Sequence, residues 1–151
     1  PEWSISEARS INDRGQILAY GTNSQTGYGG PVLLDPTIRV SIDIQPGSFP
    51  NIINLGSRGT LAVAILSAPG FDAWTVNPVT VTLAGSPVKF KGPGSPMAAL
   101  EDVNQDGSPD LVVHVITEAL KLTRTDTEAV LEGMTFDGRP IRGVDTVRVV
   151  P

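Results

Sequence analysis

Oxygen-bearing side chains fall at alternate positions through Asp102, Asn104 and Asp106, with Gly107 next and Asp110 closing the run. Directly after it comes an apolar stretch, Leu111-Val112-Val113-His114-Val115-Ile116. Any fold of this chain must turn the polar run tightly and lead it straight into a strand. The spacing is that of a loop for a hard cation. Such an ion takes about six to eight oxygens, and alternate side chains plus a backbone carbonyl supply several from one short segment. Gly107 permits the sharp bend. Asp102, Asn104 and Asp106 are therefore read as side-chain ligands of Ca2+, the Ser108 carbonyl as a backbone ligand and Asp110 as the ninth-position ligand. An EF-hand would need a bidentate Glu three residues further on, where this chain has Val113. A metal-free Asx-Gly turn between two strands is the simpler alternative. Three carboxylates within nine residues fit it poorly, because they repel one another unless a cation sits among them. Glu101 adjoins the loop but points to the opposite face of an extended segment, so it is not counted as a ligand.

The chain has 151 residues, enough for one good core or one main domain plus a small appendage. Its formal net charge is −5 and no Lys/Arg cluster appears, which excludes nucleic acid as an expected partner. There is no cysteine, which removes disulfides, thiolate zinc sites, iron–sulfur clusters and a Cys nucleophile together. No apolar run reaches the length of a membrane span, and no signal peptide is evident. The sequence starts at Pro1 and is read as a mature or trimmed portion of something longer. Sixteen Gly, thirteen Pro and many Val and Thr, with little helical periodicity, predict an all-β chain.

Two parts separate near Asp35-Pro36-Thr37. Residues 1–35 contain Ala8-Arg9-Ser10-Ile11, a turn at Asn12-Asp13-Arg14-Gly15, and Gln16-Ile17-Leu18-Ala19-Tyr20, a predicted β-hairpin. A loose Gly/Asn/Ser/Thr stretch over 21–30 and a short strand, Val32-Leu33-Leu34, follow. So small a set of strands cannot stand alone and must pack on something. Residues 36–151 alternate more cleanly. Ile38, Val40, Ile42 and Ile44 alternate with polar residues as one half-buried strand. Leu61 to Leu66 suits the middle of a sheet. Val79 to Leu83 leads through Ala84-Gly85-Ser86-Pro87 into Val88 to Lys91, a second hairpin. Met97 to Val103 enters the acidic loop and Leu111 to Ile116 leaves it. Ala129 to Phe136 and Val144 to Val150 close the domain around Asp137-Gly138. The expectation is a Greek-key, Ig-like β-sandwich with a hairpin-rich N-terminal extension. One helical turn is expected near Phe71–Trp74 or Thr123–Glu128.

These segments carry two resemblances. The acidic loop is similar in chemistry to the calcium loops of dockerins and integrin-type propeller blades. The run from Ala8 through Ile11-Asn12, Gly15-Gln16 and Ala19-Tyr20 to Leu34 resembles one unit of the HAF-type extracellular repeat, with Ala19 where that repeat has Gly. Residues 40–151 resemble a domain that recurs in large secreted bacterial and archaeal proteins. Its markers here are Ser41-Ile42-Asp43-Ile44-Gln45-Pro46-Gly47-Ser48, Asn54-Leu55-Gly56-Ser57-Arg58-Gly59, Val63 to Leu66, the acidic loop, and Gly138-Arg139-Pro140-Ile141-Arg142-Gly143. The resemblance implies an exported prokaryotic module at the cell surface or outside the cell, working within a larger assembly.

Positive signs of an enzyme are absent from the sequence. The single histidine, His114, lies mid-strand without a nucleophile elbow, and one His without Cys argues against a catalytic zinc centre of about three protein ligands. The function expected is a non-enzymatic, calcium-stabilised structural or adhesion module. Its partners would be other copies of itself or neighbouring domains of a surface protein, with the N-terminal extension donating strands head-to-tail into a filament. The alternative is an accessory module of a secreted hydrolase that binds a glycan through Trp3, Tyr20 and Tyr28.

Overall fold

The computed structural model describes residues 3–11, 16–34 and 37–151. It is all-β, with antiparallel sheets and two single turns of 3-10 helix. Strands β1 (Trp3–Ile11), β2 (Ile17–Asn23) and β3 (Gly29–Leu34) form a three-stranded antiparallel meander. The expected turn at Asn12–Gly15 lies outside the described residues. The stretch expected to be loose is instead a tight β2–β3 hairpin. The Asn23 side-chain carbonyl accepts the N–H groups of Gln25 and Thr26, both at 2.9 Å, and Gly27 adopts a φ of 74°. An Asx turn of this kind reverses the chain through local side-chain hydrogen bonding.

The rest of the chain forms a β-sandwich. Strands β4 (Ile38–Arg39), β5 (Ser41–Ile44), β6 (Ile52–Asn54), β7 (Thr60–Leu66), β8 (Val76–Leu83) and β9 (Ser86–Pro87) come first. They are followed by β10 (Phe90–Gly92), β11 (Ser95–Pro96), β12 (Ala98–Glu101), β13 (Asp110–Ile116), β14 (Glu128–Thr135), β15 (Pro140–Thr146) and β16 (Arg148–Val150). One sheet has the order β12-β13-β7-β5 and the other β4-β15-β14-β8-β9. The chain lays two main strands in one sheet, then two in the other: β5 and β7, β8 and β9, β12 and β13, β14 and β15. A short parallel pair, β16 with β6, closes one end.

The expected single strand over Ile38–Ile44 is divided. Its first two residues pair with β15 and its last four with β7, so the segment passes from one sheet to the other at Val40. The Val40 N–H donates to Arg142 O at 3.0 Å at the crossing. Gly143 makes this approach possible. A Cβ there would stand 2.7 Å from Ile42 Cγ2 and 2.9 Å from the Val40 carbonyl. The closing strand expected over Val144–Val150 is likewise two strands, and β15 begins earlier, at Pro140. The helical turns fall at Ala73–Thr75, close to one expectation, and at Thr117–Ala119, where none is expected.

The core joins both sheets. Ile44, Val63, Ile65, Val113 and Val115 of one face Val76, Val81, Leu83, Leu131 and Ile141 of the other, all essentially without solvent contact. Leu61 to Leu66 occupies the middle of its sheet, as its unbroken apolar character requires. Among the described residues, this core cluster draws nothing from β1, β2 or β3. Gly143→Ala should destabilise the protein by about 1–3 kcal/mol, the usual range for overpacking. Urea unfolding followed by circular dichroism measures it, and an unchanged midpoint would mean that β4 and β5 can move away from β15.

Candidate functional site

The loop between β12 and β13 is built from its own side chains. The two oxygens of Asp102 accept the N–H groups of Asp106 at 3.1 Å and Gly107 at 2.9 Å. Asn104 Oδ1 lies 3.3 Å from the Asp106 N–H, and Asp106 Oδ1 accepts the Ser108 N–H at 2.9 Å. Positive φ angles of 60° at Gln105 and 89° at Gly107 bend the backbone around these oxygens. Asp102, Asn104, Asp106 and Ser108 are all exposed. Neither Asp102 nor Asp106 has a basic partner among the described residues, where the ion pairs are Arg9–Glu7 and Arg139–Asp137.

Asp110 is placed differently. It is 0 % exposed, and both of its oxygens are held by main-chain donors. Ser67 N–H donates to Oδ1 at 2.8 Å, and Val103 N–H to Oδ2 at 3.1 Å. The Ser67 hydroxyl continues the network, donating to Pro109 O at 2.6 Å and accepting from Ala73 N–H at 2.8 Å. Asp110 thus ties the start of β13 to the end of β7 and to the far side of the loop. Each of its oxygens retains one further lone pair. Among the described residues, no three His, Asp or Glu side chains converge as a ready-made metal cluster. The donor set that fits a hard cation is the alternating one in the loop: all oxygen, negatively charged, solvent-facing and ordered by the loop's own amides. Asp110→Ala removes the acceptor for a buried N–H at Ser67. The expected loss is at least about 1–3 kcal/mol, read as a lowered urea midpoint with or without added calcium.

A second polar centre has no counterpart in the sequence reading. Asp145 of β15 accepts the Ile44 N–H and the Asn51 Nδ2–H at its Oδ2, both at 2.9 Å, while its Oδ1 accepts the Thr146 N–H at 2.8 Å. Asn51 is 4 % exposed and also donates to Thr146 O at 2.9 Å; its Oδ1 is buried without a partner. This carboxylate caps an edge N–H of β5 and anchors the loop after the cis Phe49-Pro50 bond. Local spacing gave no sign of it, because its members lie 94 and 101 residues apart. Asp43, on the same strand as Ile44, has its pKa raised first by burial and then by the charge of Asp145. A raised carboxyl pKa favours folding below the unfolded value near 3.8, and that contribution is lost as the pH climbs through the folded value. Asp43→Asn should therefore raise the melting temperature at neutral pH, with the gain shrinking to nothing below the ordinary carboxylate range. A gain that persists undiminished in acid would show that charge is not its cause.

The remaining candidates are dispersed. His114 is half-buried on β13 opposite Ala62, and no hydroxyl or carboxylate partners its imidazole among the described residues. Trp3 and Tyr28 meet edge to face at 6.0 Å. Tyr20 belongs to the other face of the sheet, where the Arg9 guanidinium lies 4.4 Å from its ring centre. The three rings do not form one row. The two helical elements are single turns, so among the described residues no helix is long and apolar enough to cross a membrane. No family profile matches the chain, and no curated protein and no solved structure matches it.

Proposed function

We propose that this chain is a non-enzymatic, calcium-stabilised structural module of a prokaryotic cell surface or secreted assembly, and that its N-terminal sheet joins it to the next copy. The observation that carries this reading is the state of residues 3–11 and 16–34. Their sheet leaves Trp3, Ile5, Ile11, Leu18, Tyr20, Tyr28 and Leu33 exposed and, among the described residues, adds nothing to the core of the sandwich. A single-layer sheet gains stability from its apolar side chains only when another layer covers them. Docking on a neighbouring copy supplies that partner, and a contact between unlike surfaces repeats head-to-tail.

The sandwich supplies the rigid body of such a module. The order of the strands supports an Ig-like Greek key, in which β5, β7, β13 and β12 would be strands A, B, E and D of one sheet (spatial order D-E-B-A) and β8, β9, β14 and β15 would form the opposing one. Calcium, held by Asp102, Asn104, Asp106, the Ser108 carbonyl and Asp110, would neutralise the loop's unpaired carboxylates and brace β12 against β13. A glycan-binding role would have the Trp3–Tyr28 pair to work with, without Tyr20 beside it.

Binding to the folded state alone stabilises it by mass action, about 2.7 kcal/mol at a hundredfold excess over Kd. For a chain of this size each kcal/mol raises the melting temperature by about 2–4 °C. Scanning calorimetry in millimolar calcium should show a rise of several degrees over the protein in excess chelator. Asp102→Ala and Asp106→Ala should abolish that rise while leaving the chelated melt in place. Superimposable melts of the parent protein with and without calcium would refute the calcium part of the proposal.

A further inference from the structure

The sandwich is open along one flank. Leu100 of β12 pairs with Leu111 of β13, so both side chains face the interior of the sandwich. Leu111 is in the core at 5 % exposure, yet Leu100 is 53 % exposed. An inward-facing position lacks its cover. Around it runs a groove of about 410 Å³ lined by Trp74, Val76, Pro78, Ala98, Leu100 and Phe136 among others, none of them charged. Phe136, at 68 % exposure, stands at its rim.

Edge strands narrow the choice of occupant. Of the sheet edges longer than three residues, β3 contains Pro31, which has no N–H to offer, and β5 has its outer Ile44 N–H taken by Asp145. Among the described residues, the strands left open and free of proline are β12 on the sandwich and β1 on the N-terminal sheet, each with a single neighbour. β1 is exposed at all nine of its residues, and its stretch Trp3–Ile5 stays in regular register with β2 before the first bulge. Trp3, Ile5 and Val32 share a face, the Ile5 and Val32 side chains meeting over Gly21. That face borders an uncharged hollow of about 1000 Å³.

Resting on the head-to-tail reading above, we infer that the open flank at Leu100 is the acceptor, and that the β1 edge of a second copy pairs with β12. The two sheets become one, and the Trp3–Ile5–Val32 face continues the inner face of the sandwich over Leu100. A chain of net charge −5 repels its own copies in general, but the groove and the hollow are both lined by uncharged residues, so charge does not oppose the contact at this place. Several large side chains exposed by two-fifths or more on each side are also the material from which a standard interface of about 800 Å² per partner is made.

The test is complementation between two blocked variants of the whole chain, followed by sedimentation velocity. Leu100→Arg blocks the groove and leaves the sheet intact; Trp3→Arg does the reverse. Each alone should lose the concentration-dependent association of the parent protein. Their equimolar mixture should sediment at twice the monomer mass and no further, because one good contact remains. Phe136→Arg and Ile5→Arg serve as independent replacements if either first choice melts early. If the parent associates and both groove variants associate equally well, the groove is refuted and the head-to-tail reading survives. A parent that stays monomeric at every concentration refutes both.

Discussion

Two carboxylates hold this sandwich at places where hydrogen bonding between strands cannot. Asp110 reaches from the start of β13 to the Ser67 N–H after β7, and Asp145 reaches from β15 to the Ile44 N–H of β5. Each accepts main-chain donors from segments far away in sequence. A charged acceptor makes a stronger bond than a neutral one, and a buried N–H left unpaired is costly. The two anchors sit at opposite needs of the fold. Asp145 holds the end of β5 farthest from the crossing at Val40, and Asp110 fixes the root of the acidic loop. With both in place the loop can remain solvent-facing and highly charged without loosening the strands on either side.

That division explains what the sequence made legible. Alternation in Ile38–Ile44, the unbroken apolar run of Leu61–Leu66 and the loop-to-strand passage at Asp110 each signal a strand through local period; the last two are single strands, and the first is two. Gly85 and Gly138 mark turns because positive φ angles favour glycine, and both have them; Ala84 also has a positive φ, which its residue type did not signal. What local period cannot show is a change of partner. The break at Val40 is invisible to it, because the side chains keep alternating while the hydrogen bonds move from β15 to β7. The Asn51–Asp145 centre was hidden for the same reason. Its meaning lies in a contact across the fold, and an isolated Asn and Asp near strand ends look like ordinary turn residues. The loop's alternating oxygens were legible as a group. The inward use of Asp110 was not, since position nine of a loop and the first residue of a strand read alike.

The N-terminal sheet obeys a different logic from the sandwich. In the sandwich, large apolar side chains face one another across two layers. In the sheet, β2 buries only small or polar residues, Ala19, Gly21 and Asn23, beneath side chains of its own neighbours. Glycine at 21 lets Ile5 and Val32 close over the strand, where a Cβ would stand 2.9 Å from Ile5 Cδ1. The result is a single layer whose large residues face outward because there is no second layer to receive them. Such a layer is incomplete by the same rule that makes the sandwich complete.

Edge protection connects the two halves of the molecule. Natural β-proteins blunt their open edges with proline, short strands, bulges or a capping side chain. This chain does so at β3 and at β5, using Pro31 and Asp145. Protection at these edges gives weight to the places where it is missing. At β12 the outermost strand carries an inward-facing leucine with no cover, and at β1 the first regular residues carry Trp3 and Ile5. An unprotected edge beside an uncovered core position is a hazard for a protein that must stay single and an asset for one that must join. On the proposal that copies join there, the acidic charge of the chain, absent from the lining of both hollows, would leave these as the places where two copies can approach with least repulsion.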